Sequence, residues 1–422
     1  MSLFVYGWLM RLLSPFLLLK LYLRARKEPM YGLSVAERFG YYDMSQSSGA
    51  VWFHAVSLGE TRAIQALVMA MRQAHPGMKF VFTHGTATGR EQGLSLLEDG
   101  DVQVWQPWDT PASVARFFRQ FQPRIGFLVD TEVWPVMVDQ AQQHGVPMVL
   151  LNARLSPKSL RRSMQWSALA RPAFNALHAV WAQSDQDAKR FQALGVTVQS
   201  VMGNLKFDAV PDPQQRQQGL VWRQAMSRPV VLLAISREGE ESALLDVLAQ
   251  QPAYLKDVQW WLVPRHPQRF AQVAALVHAK GLSMQQRSEW DALPALPHLQ
   301  PQTQVVLGDS MGEMPFYFGA ASVCLLGGSF EPLGGQNLIE ACACACPVVM
   351  GPHTFNFAQA AQLALQDGAA VRVKDMAEAV KTAYQLAMDR TACEQKSALA
   401  TQFASRHQGA VQRCLALMQP LM

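Results

Sequence analysis

Short apolar runs, each closed by a polar turn and followed by a helical pattern, recur in two series along the chain. In the first series Val51-Trp52-Phe53-His54-Ala55, Phe80-Val81-Phe82-Thr83, Arg124-Ile125-Gly126-Phe127-Leu128-Val129, Met148-Val149-Leu150-Leu151 and Val180-Trp181-Ala182-Gln183 read as strands. In the second, Val230-Val231-Leu232-Leu233-Ala234, Trp260-Trp261-Leu262-Val263-Pro264, Val305-Val306-Leu307-Gly308, Ala321-Ser322-Val323-Cys324-Leu325-Leu326 and Pro347-Val348-Val349-Met350-Gly351 do so. Continuous apolar runs suit strands buried on both faces, and strands alternating with helices build a parallel sheet with helices on both sides. The polar, proline-rich stretch Asp208-Ala209-Val210-Pro211-Asp212-Pro213-Gln214 separates the series and marks 208–228 as a linker region. A chain of 422 residues also exceeds the usual size of one domain. The pattern predicts an α/β chain with two Rossmann-like domains, 28–207 and 229–422, the second carrying the terminal helices. Domains of this kind facing across a cleft bind ligands at the carboxyl ends of their strands.

Residues 1–27 predict a membrane anchor. The segment from Leu3 to Leu23 is mostly apolar, interrupted by Arg11 and Lys20, with Pro15 placed to kink a helix. Arg24, Arg26 and Lys27 follow, with Arg38 beyond, a basic flank suited to anionic headgroups and to retention on the cytoplasmic side. A marginal span and a helix lying in the interface both fit, and an ordinary buried helix is the alternative. The net charge of +5 is mild, and the sequence has no zinc-finger spacing or long basic block, so nucleic acid is not an expected partner.

The densest signature is Gly327-Gly328-Ser329-Phe330-Glu331-Pro332-Leu333-Gly334-Gly335-Gln336-Asn337-Leu338-Ile339-Glu340. Paired glycines after a buried strand let backbone approach a ligand, and a following helix offers N–H groups to phosphate. Asn337 and Glu340 share one helix face, where a carboxylate suits a ribose. A plain strand-to-helix joint is the competing reading. Other strand ends are also polar. Ser57-Leu58-Gly59-Glu60 puts an acid at the mouth of a helix, as a catalytic carboxylate or as a first-turn acid. Thr86-Ala87-Thr88-Gly89 offers hydroxyls for phosphate or for capping. Asp130-Thr131-Glu132-Val133-Trp134-Pro135, Asn152-Ala153-Arg154, Ser236-Arg237-Glu238, Pro264-Arg265-His266-Pro267 and Asp309-Ser310-Met311-Gly312-Glu313 complete the set. Asp185-Gln186-Asp187 matches a cation-binding pattern, but Ser184 before it predicts an N-cap with first-turn acids. Cys342, Cys344 and Cys346 alternate with alanine on a predicted helix, where they point in different directions and suit close packing better than metal. The six cysteines form no disulfide framework.

In this order, with Glu37-Arg38-Phe39-Gly40, His54 to Glu60, Gly203-Asn204-Leu205-Lys206-Phe207-Asp208 and Gly351-Pro352-His353, the segments resemble the 3-deoxy-D-manno-octulosonic acid (Kdo) transferases of Gram-negative lipopolysaccharide assembly. The resemblance covers nearly the whole chain. It implies a GT-B glycosyltransferase fold with an N-terminal anchor helix, CMP-Kdo as donor, the lipid A precursor lipid IVA as acceptor, and no metal or other cofactor. It implies inverting transfer on the cytoplasmic face of the inner membrane. By the same resemblance Glu60 is the general base and Glu132 a second acid on the acceptor side. Arg265, Met311, Gly312, Glu313, Gly334, Gly335, Asn337 and Glu340 fall where the donor is held, and Lys206 lies near the inter-domain seam. The chain departs from the family at Asp130, where Glu is usual, at Gln336, where His is usual, and at Ile235-Ser236-Arg237, where Ser-Thr-His is usual. Two other readings fit the sequence: a cell-envelope transferase with a UDP-sugar donor, and a non-catalytic two-domain protein that binds a small ligand.

Overall fold

The structure is a computed structural model describing residues 2–43, 48–290 and 299–422. Its described residues form two compact units, Met1–Ala209 with Gln408–Met422, and Val210–His407. Each unit contains one seven-stranded sheet, parallel throughout.

The first sheet consists of β1 (Val51–His54), β2 (Phe80–His84), β3 (Val102–Trp105), β4 (Ile125–Val129), β5 (Met148–Ala153), β6 (Ala179–Ala182) and β7 (Ser200–Val201), in the order β3-β2-β1-β4-β5-β6-β7. The second consists of β8 (Val230–Ser236), β9 (Gln259–Pro264), β10 (Met284–Gln286), β11 (Val305–Leu307), β12 (Val323–Leu326), β13 (Val348–Met350) and β14 (Ala370–Arg372), in the order β10-β11-β9-β8-β12-β13-β14. In each sheet the first strand is internal: the first chain segment runs from β1 out to β3 before crossing to β4, and the second runs from β8 through β9 to β10 at the edge, places β11 between β9 and β10, and then crosses to β12. The carboxyl ends of β1 and β4, and of β8 and β12, therefore flank the point where the winding reverses, the usual place for a ligand in such sheets.

Strand alternation sends neighbouring side chains to opposite faces. On one face of the first sheet Trp52, Val81, Leu128 and Leu150 pack with Phe117, Phe118 and Phe121. On the other, Val51, Phe53, Phe82, Phe127 and Val149 pack with Ile64, Leu67 and Val68. The second sheet buries Val231, Leu233, Trp260 and Leu325 against Leu244, Leu248 and Val380. Each large apolar side chain so buried contributes about 1.5–3 kcal/mol.

Three segments depart from the sequence reading. The region expected as a linker contains the helix Pro213–Ala225, started by Asp212, which accepts from Gln214 N and Gln215 N at 2.9 Å each. Gly219 lets this helix touch the helix Met314–Ala320: a Cβ there would sit 2.3 Å from the Phe316 carbonyl oxygen. The last helix, Ala410–Met418, belongs to the first unit and not the second. Its Ala410, Val411, Cys414 and Met418 enter the core beneath β1 and β4, and Asp208 accepts from Gly409 N at 2.6 Å. The helix expected to carry all three alternating cysteines ends at Ala343, so Cys344 and Cys346 occupy the turn into β13. All are buried.

The N-terminal helix runs unbroken from Leu3 to Ala25 through Pro15. It is long and apolar enough to cross a membrane. It is not a core helix: only Gly7 is buried, against Pro111 and Val136, while Phe4, Trp8, Leu12, Phe16, Leu19 and Leu23 are exposed. Its base is fixed by stacking, with the Arg24 guanidinium 4.1 Å from the Tyr31 ring and Tyr31 stacked on Trp105. Arg38 is not part of a headgroup-facing cluster. It is buried over Trp105, donating to Gly85 O at 3.0 Å and Gln106 O at 3.2 Å.

Candidate functional site

In the first unit β1 leads into the helix Leu58–Ala74, whose N-cap is Ser57. Glu60 reaches back toward this cap. Its Oε1 accepts from Ser57 Oγ and its Oε2 from Val56 N, both at 2.7 Å. The first-turn-acid reading is therefore structurally correct: Glu60 N donates to Ser57 Oγ at 3.4 Å while the carboxylate reaches back to Ser57 and to the residue before the cap, a variant of the capping box. Such bonds favour the charged carboxylate, yet its pKa is pushed up to about 7. Burial is the main cause, followed by the negative charges of Asp130 and Glu132. A pKa in this range suits a proton acceptor working near neutrality.

Asp130 and Glu132 come from the turn after β4, the neighbour of β1. Asp130 has φ +61°, and Asn152, at the end of β5, has φ +52°. Asn and Asp tolerate this left-handed region best. Asn152 Nδ2 donates to Asp130 Oδ1 at 2.6 Å, and Lys206 Nζ donates to Asp130 Oδ2 at 3.3 Å. Glu132 Oε2 accepts from Trp134 Nε1 at 3.0 Å. Burial raises the Glu132 pKa and Asp130 adds to it, against the Trp134 bond. Glu60, Asp130, Glu132 and Lys206 thus form one electrostatic cluster. Lys206 belongs to the first unit, beside Asp130.

In the second unit the named residues lie on loops after β8, β9, β11 and β12, which are neighbours in the sheet. The loop after β12 is held from within. Glu240, buried at the start of the helix Glu240–Gln250, accepts from Gly328 N at 2.8 Å, Arg237 N at 2.9 Å and Phe330 N at 3.1 Å. Gly335 N donates to Gly328 O at 2.7 Å. Part of the glycine-rich backbone expected to face phosphate is therefore engaged by the chain itself. The helix that follows, Leu338–Ala343, is six residues long, and Asn337 caps it by accepting from Ile339 N at 3.1 Å. Glu340 lies in its first turn. Gly334 has φ +93°, and a Cβ there would meet Asn356 Nδ2 at 2.4 Å.

After β9, Arg265 Nη1 donates to Gln336 Oε1 at 2.7 Å, tying that cation to the glycine-rich loop. Burial, with Arg265 and Arg237 nearby, lowers the His266 pKa. After β11, Met311 is exposed and Gly312, at φ +81°, has open space where a Cβ would stand. Glu313 is not free for a ligand. It binds the Arg287 guanidinium through both oxygens at 2.7 and 2.9 Å and accepts from Ser310 Oγ.

The capping readings hold for two motifs. Thr86 accepts from Gly89 N at 3.1 Å, and Asp187 is held by Ser184, Leu155 N and Arg190. Among the described residues no group of three His, Cys, Asp or Glu side chains is placed to hold a metal ion.

Residues 34–209 match the sequence pattern of the 3-deoxy-D-manno-octulosonic acid transferase (kdotransferase) family. The 3-deoxy-D-manno-octulosonic acid transferase of Bordetella pertussis is 41% identical over 424 residues, covering 97% of each chain. This chain is a member of the Kdo transferase family. The Haemophilus influenzae enzyme of that name is 30% identical over 426 residues, 99% of this chain and 98% of that one. The fold is similar to that of Anabaena HepE solved with UDP and glucose, with a TM-score of 0.56 and 14% identity over 88% of this chain and 99% of that one. Two Rossmann-like units in one chain are the GT-B architecture, and the protein is a glycosyltransferase.

Within a Kdo transferase, the departures at Gln336 and Asp130 acquire physical content. Gln336, in the place of an imidazole, supplies a carbonyl oxygen that Arg265 can hold without any protonation step. Asp130, one methylene shorter than the usual residue, is held by Asn152 and Lys206. Arg237 donates its Nε to Glu238 at 3.2 Å, and Ser236 its hydroxyl to Glu241 at 2.6 Å. Sequence reasoning did not find the structural role of Glu240, or Asn152 as the partner of Asp130. The positive-φ requirement at strand ends was the only local signal for Asn152.

Proposed function

We propose that this protein transfers Kdo from CMP-Kdo to lipid IVA by inverting glycosyl transfer, with Glu60 as general base. The carrying observation is the Glu60 carboxyl, which is oriented by Ser57 and Val56 and brought to about neutral pKa by its surroundings. In the step proposed, Glu60 takes the proton of an acceptor hydroxyl as that oxygen bonds to the anomeric carbon of Kdo. The bond from that carbon to the phosphate oxygen breaks on the opposite face, and CMP leaves with the electron pair. Glu132, in the same cluster, is the second acid of the acceptor side. Arg265, oriented by Gln336, meets the charge that develops on the leaving phosphate. Met311, Gly312, Gly334, Gly335 and Glu340 frame the donor. Asn337 and Glu313 support that frame from within, by the helix cap and the Arg287 pair.

In this reading the helix Leu3–Ala25 anchors the enzyme in the inner membrane with Arg24, Arg26 and Lys27 on the cytoplasmic side, and its length and exposed apolar surface support that role. Supporting the donor and acceptor are the curated relatives, which carry the transferase name over almost their whole length. The test is transfer to detergent-dispersed lipid IVA, with EDTA present and products resolved by mass, using CMP-Kdo and UDP-sugars in parallel. Product heavier by Kdo, with CMP released, is expected. Transfer from a UDP-sugar alone, or none from CMP-Kdo by folded protein, would contradict the reading.

A further inference from the structure

We propose that Asp130, held in place by Asn152 and Lys206, sets the pH at which Glu60 can accept a proton, and that Lys206 limits its effect. This deepens the function proposed above and rests on Glu60 being the base.

The geometry is a lock that joins three separate segments. β1 and β4 are adjacent and in parallel register, His54 against Leu128, so the turns bearing Glu60 and Asp130 leave the same edge of the sheet side by side. Asp130 holds a left-handed conformation that most residues avoid. Its backbone is fixed by Asp130 N donating to Leu151 O at 3.2 Å and Arg154 N donating to Asp130 O at 3.0 Å. Its carboxylate is fixed by Asn152 at 2.6 Å and Lys206 at 3.3 Å. Asn152 is itself immobilised, because its Oδ1 accepts from Leu205 N at 3.0 Å. The segment carrying Lys206 is thereby attached to the strand end carrying Asn152. A charge this firmly placed cannot swing away from Glu60 when Glu60 ionises, so its repulsion persists in the ionised state.

The other charged groups around Glu60 do not take this role. Glu132 shares the repulsion, but its Oε2 is bound by Trp134. Arg62, on the same helix as Glu60, donates to Gln92 at 3.2 Å. Arg90 pairs with Glu37 at 2.8 Å. His84, beneath Thr61, is neutral above about pH 4, because burial lowers its pKa. Asp208 accepts from Gly409 N, and Arg413 donates to Met202 O, both at the start of the last helix. Asp130 is therefore a positioning residue with an electrostatic output, and Lys206 is its counterweight.

The experiment is the pH dependence of kcat/KM for the full chain in detergent, for wild type, Asp130→Asn, Asp130→Glu, Lys206→Met and Glu60→Gln. In parallel, the Glu60 carboxyl is titrated by NMR with ¹³C-labelled glutamate, its signal assigned by its loss in Glu60→Gln. Asp130→Asn is expected to move the acid limb and the Glu60 titration down by roughly one unit, and Lys206→Met to move both up. Asp130→Glu, which keeps the charge, leaves them near wild type. A merely structural role would lower rates without moving the midpoints. Unmoved midpoints in both Asp130→Asn and Lys206→Met, with Glu60→Gln inactive, overturn the proposal and leave the base intact. Retained turnover in Glu60→Gln removes the base instead, and the NMR titration still decides whether Asp130 governs that carboxyl.

Discussion

Glu60 and Glu240 occupy corresponding places in the two units. Each lies in the first turn of the helix after the first strand of its sheet, β1 or β8. Burial raises the pKa of both. What their oxygens touch separates them. Glu240 is fully buried and accepts three backbone N–H groups, two of them from the glycine-rich loop. Its bonding capacity is spent on holding that loop. Glu60 is only half-buried and accepts one N–H and one hydroxyl. It faces two carboxylates and keeps capacity for a substrate proton. The same residue type at the same point of the same fold is a strut in one unit and, in the proposed function, a base in the other. Position on a fold suggests where chemistry occurs, and the bonding of the individual oxygens decides whether it does.

The sharpest way to break this comparison is Glu60→Gln. It preserves shape and should lower kcat/KM by about 10²–10⁴-fold, the usual worth of a general base. Circular dichroism should show an unchanged fold. Glu240→Ala should act on stability, because it leaves three N–H groups, one buried and two partly buried, without this acceptor. A loss of about 2–5 kcal/mol is expected in urea unfolding of the second unit. Similar melting of this variant and wild type would show that Glu240 is not a strut.

The pH dependence sharpens the contrast. Glu60 has a folded pKa of about 7 against an ordinary 4.5, so between those values the folded chain binds more protons at this position than the unfolded chain. This contribution to stability is full below about pH 4.5 and declines as pH rises toward 7, whereas with Glu60 as the proposed base activity should rise over the upper part of that window. Glu60→Gln should flatten the stability slope, and unfolding midpoints measured from pH 4.5 to 7.5 would show it. The smallest effects are expected on the glycine loops. Gly334→Ala combines a positive φ with a clash against Asn356 and should cost about 1–3 kcal/mol. Gly312→Ala, with a positive φ but open space, should cost less. Equal melting of the two would mean that the Gly334 contact yields freely.

The sequence revealed the central strands and missed the four at the sheet margins. β3, β7, β10 and β14 are the outer strands of their sheets. β7 is only two residues long, and β10 reads Met284-Gln285-Gln286 and is half-exposed. An edge strand has a neighbour on one side only and need not be a continuous apolar run, so apolarity could not reveal it. The helix in the expected linker escaped for a related reason: it buries only Gly219 and Trp222, too few positions to give a readable stripe. The strand-end positions of Glu60, Glu132 and Arg265 were legible because polar residues at the carboxyl ends of buried strands stand out. The Asp130–Lys206 pair was not, since 76 residues separate its members and only the completed sheet brings them together. The same holds for Glu240 and Phe330, 90 residues apart.

The measurement that tests the account most directly is single-turnover transfer from CMP-Kdo to lipid IVA by Glu60→Gln and Glu240→Gln side by side, with a thermal melt of each. Glu60→Gln is expected to melt like wild type, apart from its pH slope, and to lose the chemical step. Glu240→Gln is expected to melt earlier but to transfer Kdo at a comparable rate while folded. Transfer at the wild-type rate by Glu60→Gln, or loss of the chemical step in a stable Glu240→Gln, would contradict the account.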